Sequence, residues 1–302
     1  MGIDNFIKKF QIPAVGYTSI NKIFKKEEID FVDKMDKDTF TQKDVEEIIG
    51  SNADEFIKAC YRRGIISIAD ESAGTYKIST FYNRLDIFSI SEQEAYSNIP
   101  VDNRLALDAW YFEAYYNGLD PDLTVRPTQD KILPLEQVLE FIDAQNRSVY
   151  LNNCDCRSLR GDCGKPVRTC ITYKNGINTF AHRGLSEKID NERAKEIVRQ
   201  ADKNGLIHTV NPNGICNCCG DCCYLFRSQE RRNSSEFWPK TEQIIEYDPE
   251  KCSQCGVCVK KCHFGVFTKD DGHLAADASK CVGCGICVNS CPAKSLTLKE
   301  RD

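Results

Sequence analysis

The chain has 302 residues, a formal net charge of −5, 41% hydrophobic residues and 28% charged ones, which suits two or three soluble domains. No apolar run is long enough to span a bilayer, and the first twenty residues lack the apolar core and small-residue cleavage site of a secretory signal. A cytoplasmic protein without membrane insertion is therefore expected, and the acidic balance does not call for nucleic acid as a bulk partner.

In chain order, three segments are expected, giving an α+β protein with boundaries at residues 1–90, 91–246 and 247–302. In the first, Lys25 to Met35 reads as a helix, Thr41 caps a second helix through Val45, Ile48 and Ile49, and a third carries Phe56, Ile57, Cys60 and Tyr61. Gly64 ends it, Ile65 to Ile68 and Tyr76 to Ser79 read as strands, and Gly74 lies in the return between them. That order predicts a winged-helix-like interaction domain. DNA binding is disfavoured, because Phe24 to Thr80 holds nine Lys and Arg against thirteen Asp and Glu. Lys58, Arg62 and Arg63 on the third helix are the counter-signal, and Cys60 reads as a core residue.

The second segment opens on an aromatic helix with Trp110, Tyr111, Phe112, Tyr115 and Tyr116, stopped by Gly118, whose stripe suits a core or a subunit interface. A helix from Leu135 to Ala144, a strand from Ser148 to Leu151, a hairpin of Thr169–Tyr173 with Ile177–Phe180, a helix from Asn191 to Lys203 and a strand from Leu206 to Val210 follow. These elements surround nine cysteines: Cys154, Cys156, Cys163 and Cys170, then Cys216, Cys218, Cys219, Cys222 and Cys223. Seventeen of the eighteen cysteines lie between Cys154 and Cys291, a density that without an export signal argues for metal rather than disulfides. Cys216, Cys219 and Cys222 stand as C-x2-C-x2-C with Gly220 between the last two, and this trio is expected to hold one cubane. One or two further 4Fe-4S clusters are expected in the segment, with zinc as the alternative occupant of thiolate loops.

The last segment repeats itself with an offset of 29 residues. Cys252, Cys255, Cys258 and Cys262 follow C-x2-C-x2-C-x3-C, and so do Cys281, Cys284, Cys287 and Cys291. Three thiolates two residues apart wrap one cubane while the fourth reaches the other cluster, so two 4Fe-4S clusters are expected. By resemblance to bacterial two-cluster ferredoxins, Cys252, Cys255, Cys258 and Cys291 hold one and Cys281, Cys284, Cys287 and Cys262 the other. Pro292 keeps that motif's proline, whereas His263 replaces it in the first half.

Taken whole, the chain resembles a group of anaerobe 4Fe-4S dicluster proteins. The resemblance rests on Cys154-Asp155-Cys156-Arg157, on Gly161 to Cys163 and Thr169-Cys170, on the Ile215 to Cys223 block, and on the closing ferredoxin motif. It implies redox function. A low-potential carrier exchanging electrons with donor and acceptor proteins is the leading expectation, with the N-terminal module mediating protein association, either homodimer formation or partner docking. Two other readings stand beside it: an iron-sulfur enzyme acting on a small substrate at a middle-domain cluster, with His182 and His208 as proton sources, and a redox-sensing regulator. The chain carries no dinucleotide fingerprint, P-loop or nucleophile elbow.

Overall fold

In the N-terminal third, each helix starts where a side chain can satisfy its free backbone donors. Helix Gln42–Ile49 opens on Thr41, whose backbone N–H and hydroxyl both donate to Asp44 Oδ2, at 2.7 and 2.8 Å. Helix Ala53–Arg63 ends on Gly64, left-handed at φ 72°, a conformation that glycine adopts without steric cost. The computed structural model describes residues 3–239 and 241–301, a mixed α+β chain in two compact units. Among the described residues no helix is long and apolar enough to cross a membrane.

The first unit comprises Met1–Ala114, Ser158–Arg160 and Lys174–Glu187. Its helices Lys26–Lys34, Gln42–Ile49 and Ala53–Arg63 are followed by an antiparallel pair, β1 (Ile66–Asp70) and β2 (Thr75–Ile78), and Phe40 bridges to Tyr76. Buried Phe24 packs edge to face against Phe6 and Phe10, and Cys60 is buried as expected. The basic cluster of the third helix is largely engaged within the unit. Lys58 pairs with Asp54, and Arg63 pairs with Glu28 and Glu92. Arg84, with no exposed surface, donates to Glu92 Oε1 at 2.8 Å, to the Arg63 carbonyl at 2.9 Å and to the Ile23 carbonyl at 2.6 Å.

The expected second arm of a hairpin, Ile177–Phe180, is not a strand. It belongs to a series of turns in the first unit, where Asn178, left-handed at φ 65°, uses its side-chain amide like a strand edge. Its Oδ1 accepts from the Ile68 N–H and its Nδ2 donates to the Ile68 carbonyl, both at 2.9 Å. Two hydrogen bonds to one half-buried strand residue satisfy the groups a β-partner would take.

The second unit comprises Tyr115–Arg157, Gly161–Tyr173 and Lys188–Asp302. Its six-stranded sheet contains β3 (Lys131–Ile132), β4 (Val149–Asn152), β5 (Cys170–Thr172), β6 (Glu187–Ile189), β7 (Ile207–Asn211) and β8 (Gly214–Cys218), in the order β3-β7-β8-β5-β4-β6. The tight β7–β8 return across Pro212-Asn213 sets Ile207 opposite Cys218 and Thr209 opposite Cys216. Helices Leu135–Asp143 and Asn191–Lys203 bury Val138, Ile142, Ala194 and Val198 against Val149, Leu151, Ile171 and Ile215 of the sheet. Beyond the sheet, β9 (Gln243–Tyr247) pairs with β12 (Leu296–Glu300), and β10 (Phe267–Asp270) forms a hairpin with β11 (His273–Ala276) through Asp271-Gly272, both left-handed as that tight turn requires.

The Arg84–Glu92–Arg63–Glu28 network predicts an acid-sensitive N-terminal unit. Burial alone raises the Glu92 carboxyl, but Arg84 and Arg63 outweigh it and hold it below its ordinary 4.5. A carboxyl lowered in the folded state contributes stability that is complete above 4.5 and is lost as pH falls through the folded value. Arg84→Met should cost about 2–4 kcal/mol in urea unfolding, since it strips the buried Ile23 and Arg63 carbonyls and half of the Glu92 pairing. The stability difference between wild type and Glu92→Gln should be full above pH 4.5 and shrink as the pH falls below it.

Candidate metal centres

The two halves of the C-terminal repeat build equivalent loops. In each, two cysteines precede a left-handed glycine, Gly256 at φ 73° or Gly285 at φ 77°, and a short helix, Val257–Lys261 or Ile286–Asn289, then carries the third. A left-handed residue turns successive backbone N–H groups toward one point, where thiolates and sulfide need donors. Sulfur acceptors are already engaged in this way. Cys252 Sγ accepts from Gln254 N–H at 3.4 Å, and Cys281 Sγ accepts from both Gly283 and Ile245 N–H at 3.3 Å.

The halves do not close on themselves. A narrow hollow is lined by Cys252, Cys255 and Cys258 of the first half and Cys291 of the second, with Leu274, Pro292 and Leu296 as its apolar wall. The Cys255 thiol feels Cys291. On the other side, burial first and then Cys281 and Cys262 push the Cys284 thiol up to about 12, and burial with Cys284, Cys281 and Cys262 raises Cys287. Each group thus contains three thiols from one half and one from the other. Such a donor set, with apolar walls and N–H donors to sulfur, fits a 4Fe-4S cluster.

The nine middle cysteines fall into two groups that differ from the expected trio. Six thiols form a continuous series of contacts, Cys154 to Cys156, Cys156 to Cys223, Cys223 to Cys218, Cys218 to Cys216 and Cys216 to Cys170, and the terminal Cys170 feels Cys154 again. Three others, Cys163, Cys219 and Cys222, have sulfurs all within 4.8 Å of one another. Cys216 therefore does not join Cys219 and Cys222. The reason is backbone conformation: Cys216 lies inside β8, held extended between β7 and β5, and points with Cys218 to one face of the sheet. The chain turns only after Cys218, so Cys219 and Cys222 leave in another direction.

Arg157, 1% exposed, stands between these groups. It donates to the Asn217 carbonyl at 2.7 Å, the Pro166 carbonyl at 2.9 Å and the Thr169 hydroxyl. Burial opposes its charge, yet Cys154, Cys218 and Cys219 together raise its pKa. The Cys219 thiol is pulled down to about 5, by a hydrogen bond with Cys222 above all and also by Arg157.

Three contributors carried no spacing signal. Tyr115 lies close enough to Cys223, Cys156 and Cys216 for them to add to the burial that raises its hydroxyl. The Tyr224 N–H donates to Cys156 Sγ at 3.5 Å. His263 faces the middle-domain loop, since a methyl group on Gly220 would meet its ring and Cβ at 2.5–2.7 Å. The two histidines considered as proton sources have other surroundings. His182 Nδ1 contacts the Tyr61 hydroxyl at 2.7 Å in the first unit, and fully buried His208 contacts Asn217 Oδ1 at 2.6 Å with Asp202 3.6 Å away.

A family model described as a 4Fe-4S dicluster domain matches residues 251–296. No curated protein and no solved structure matches the chain. The matched domain and the clustered cysteines point, in general terms, to iron-sulfur electron transfer. Gly220→Ala should push His263 away from the Cys219–Cys222 loop. Its expected cost is about 1–3 kcal/mol of thermal stability, as for overpacking a tight contact, whereas Gly272→Ala, where no atom lies within 4 Å, should cost only the left-handed backbone penalty of about 1–2 kcal/mol.

Proposed function

We propose that the chain is a low-potential electron carrier in which the C-terminal domain holds two 4Fe-4S clusters by crossed ligation and the six-thiol group of the middle domain holds a further one. The observation that carries this reading is the hollow shared by Cys252, Cys255, Cys258 and Cys291, in which one half of the repeat lends a cysteine to the other. When bound, the clusters supply one-electron transfer at potentials of about −400 mV or somewhat higher. The protein's own residues do the rest. Gln254, Gly283 and Ile245 donate backbone hydrogen bonds to sulfur, which favours the reduced, more negative state, and apolar Leu274, Leu296, Val282 and Ile286 keep water away.

The apolar core around Cys284 also takes in Cys218 and Cys223, together with Ile207, Phe226 and Trp238. The thiols assigned to the second C-terminal cluster and those of the six-thiol group thus share one dry environment, which suits an internal relay. Electron donor and acceptor proteins are the implied partners. The N-terminal helices and β1–β2 pair fit a winged-helix-like module used for protein association, since Lys58 and Arg63 pair with carboxylates of their own unit and leave little basic surface for phosphate.

Double substitutions test the crossed ligation. Cys255→Ala and Cys291→Ala should each remove the same cluster, so the double variant should lose no more iron than either single one, about four irons per chain. Cys255→Ala with Cys262→Ala should instead remove both C-terminal clusters, with loss of about eight irons and of both reduced-state resonances in electron paramagnetic resonance. Additive loss in the first pair would mean that each half ligates its own cluster.

A further inference from the structure

We propose that Cys163, Cys219, Cys222 and Asp162 form a tetrahedral site for a single zinc ion, distinct from the thiols that hold iron. The spacing of the donors is the first reason. Their three sulfurs lie within 4.8 Å of one another, and among the described residues no other three or more potential ligand atoms are gathered so tightly, the eight C-terminal cysteines included. A cubane places four irons and four sulfides between its thiolates and keeps them well apart. A single ion draws them together: Zn–S bonds of about 2.3 Å give tetrahedral S···S edges of about 3.8 Å, and a carboxylate at about 2.1 Å gives an S···O edge of about 3.6 Å. Cys222 Sγ stands 3.6 Å from Asp162 Oδ1.

The chemistry of the surroundings agrees. Cys219 and Cys222 make the C-x2-C turn in which the Cys222 N–H donates to Cys219 Sγ at 3.3 Å, and Ala201 and Leu206 pack over the pair. Exposed Asp162 reaches Cys222 but is not gathered with all three sulfurs, so its side chain would turn inward to complete the shell; three thiolates and one carboxylate then form the four-donor set of a structural rather than a catalytic zinc site.

Such an ion has a structural task here. Asp162 and Cys163 lie in the loop after helix Asp155–Arg160, and Cys219 and Cys222 in the loop after β8, and neither loop is held by a strand ladder. Bound zinc would tie the two and press Gly220 against His263, the neighbour of Cys262. It would thereby fix the six-thiol group relative to the C-terminal cysteines without taking part in redox chemistry. The proposal does not rest on the electron-carrier reading.

The full chain, produced with ample iron and purified without oxygen, should contain one zinc per chain beside its iron. Zinc X-ray absorption on the unaltered protein should show three sulfurs at about 2.3 Å and one oxygen at about 2.0–2.2 Å. Cys219→Ser should abolish the zinc and leave the iron count unchanged, and Asp162→Ala should lose zinc to a chelator at least tenfold faster than wild type. Absence of zinc from iron-replete protein, or loss of about four irons in Cys219→Ser, would make the site a cubane and overturn the proposal. A four-sulfur zinc shell would overturn the part given to Asp162. Because the absorption measurement needs no substitution, misfolding of a variant does not blunt the test.

Discussion

Pairing of β9 with β12 is the constraint on which the C-terminal metal chemistry depends. Neither half of the cysteine repeat surrounds a site alone, and the ladder from Gln243↔Glu300 to Tyr247↔Leu296 fastens the chain ahead of the first half to the chain behind the second. With the ends fastened, Cys291 has to lie beside Cys252, Cys255 and Cys258. The same strand supplies a donor to sulfur, since Ile245 N–H reaches Cys281. Gly283 shows how little slack remains: an added methyl would stand 2.2 Å from the Gln243 carbonyl oxygen. Hydrogen bonds that build the sheet and hydrogen bonds that serve the thiols are parts of one arrangement.

A second constraint is charge. Gathering many thiols in one unit is costly once they ionise, because buried anions repel and lose their hydration. Burial raises Cys281, Cys284 and Cys287. Arg157 is the local answer in the middle domain: its guanidinium, with an acceptor for each nitrogen, is fixed beside Cys154, Cys218 and Cys219 by the Asn217 and Pro166 carbonyls and the Thr169 hydroxyl. A lysine there would offer a point charge but not the planar fork that reaches several acceptors at once.

The sheet divides labour between the two kinds of thiol site. Strands hold Cys170, Cys216 and Cys218 in extended positions, where side chains alternate between faces and spacing along the chain translates directly into spacing in space. Loops hold Cys163, Cys219 and Cys222, where thiols can converge on a much smaller volume. Cys154, Cys156 and Cys223 reach the strand thiols from the starts of two helices, Asp155–Arg160 and Tyr224–Arg232.

Sequence alone determined the local and the repetitive. The 29-residue offset, the C-x2-C-x2-C-x3-C runs and the glycines after Cys255 and Cys284 identify cubane-wrapping loops, because there the ligand spacing is itself the local conformation. The helices around Val45, Phe56, Val138 and Val198 were equally legible from their apolar period and caps. Tertiary structure decided how the middle cysteines are shared out. The triad spacing of Cys216, Cys219 and Cys222 matches that of the C-terminal loops, but β7 and β5 capture Cys216 in a strand, and a residue in a ladder cannot also be part of a wrap. Asn178 was hidden for the same reason: a strand partner made from a side chain leaves no alternating pattern to read. Tyr115, Asp162 and His263 acquire their neighbours from chain that is distant in sequence, and only the folded register brings those neighbours within reach.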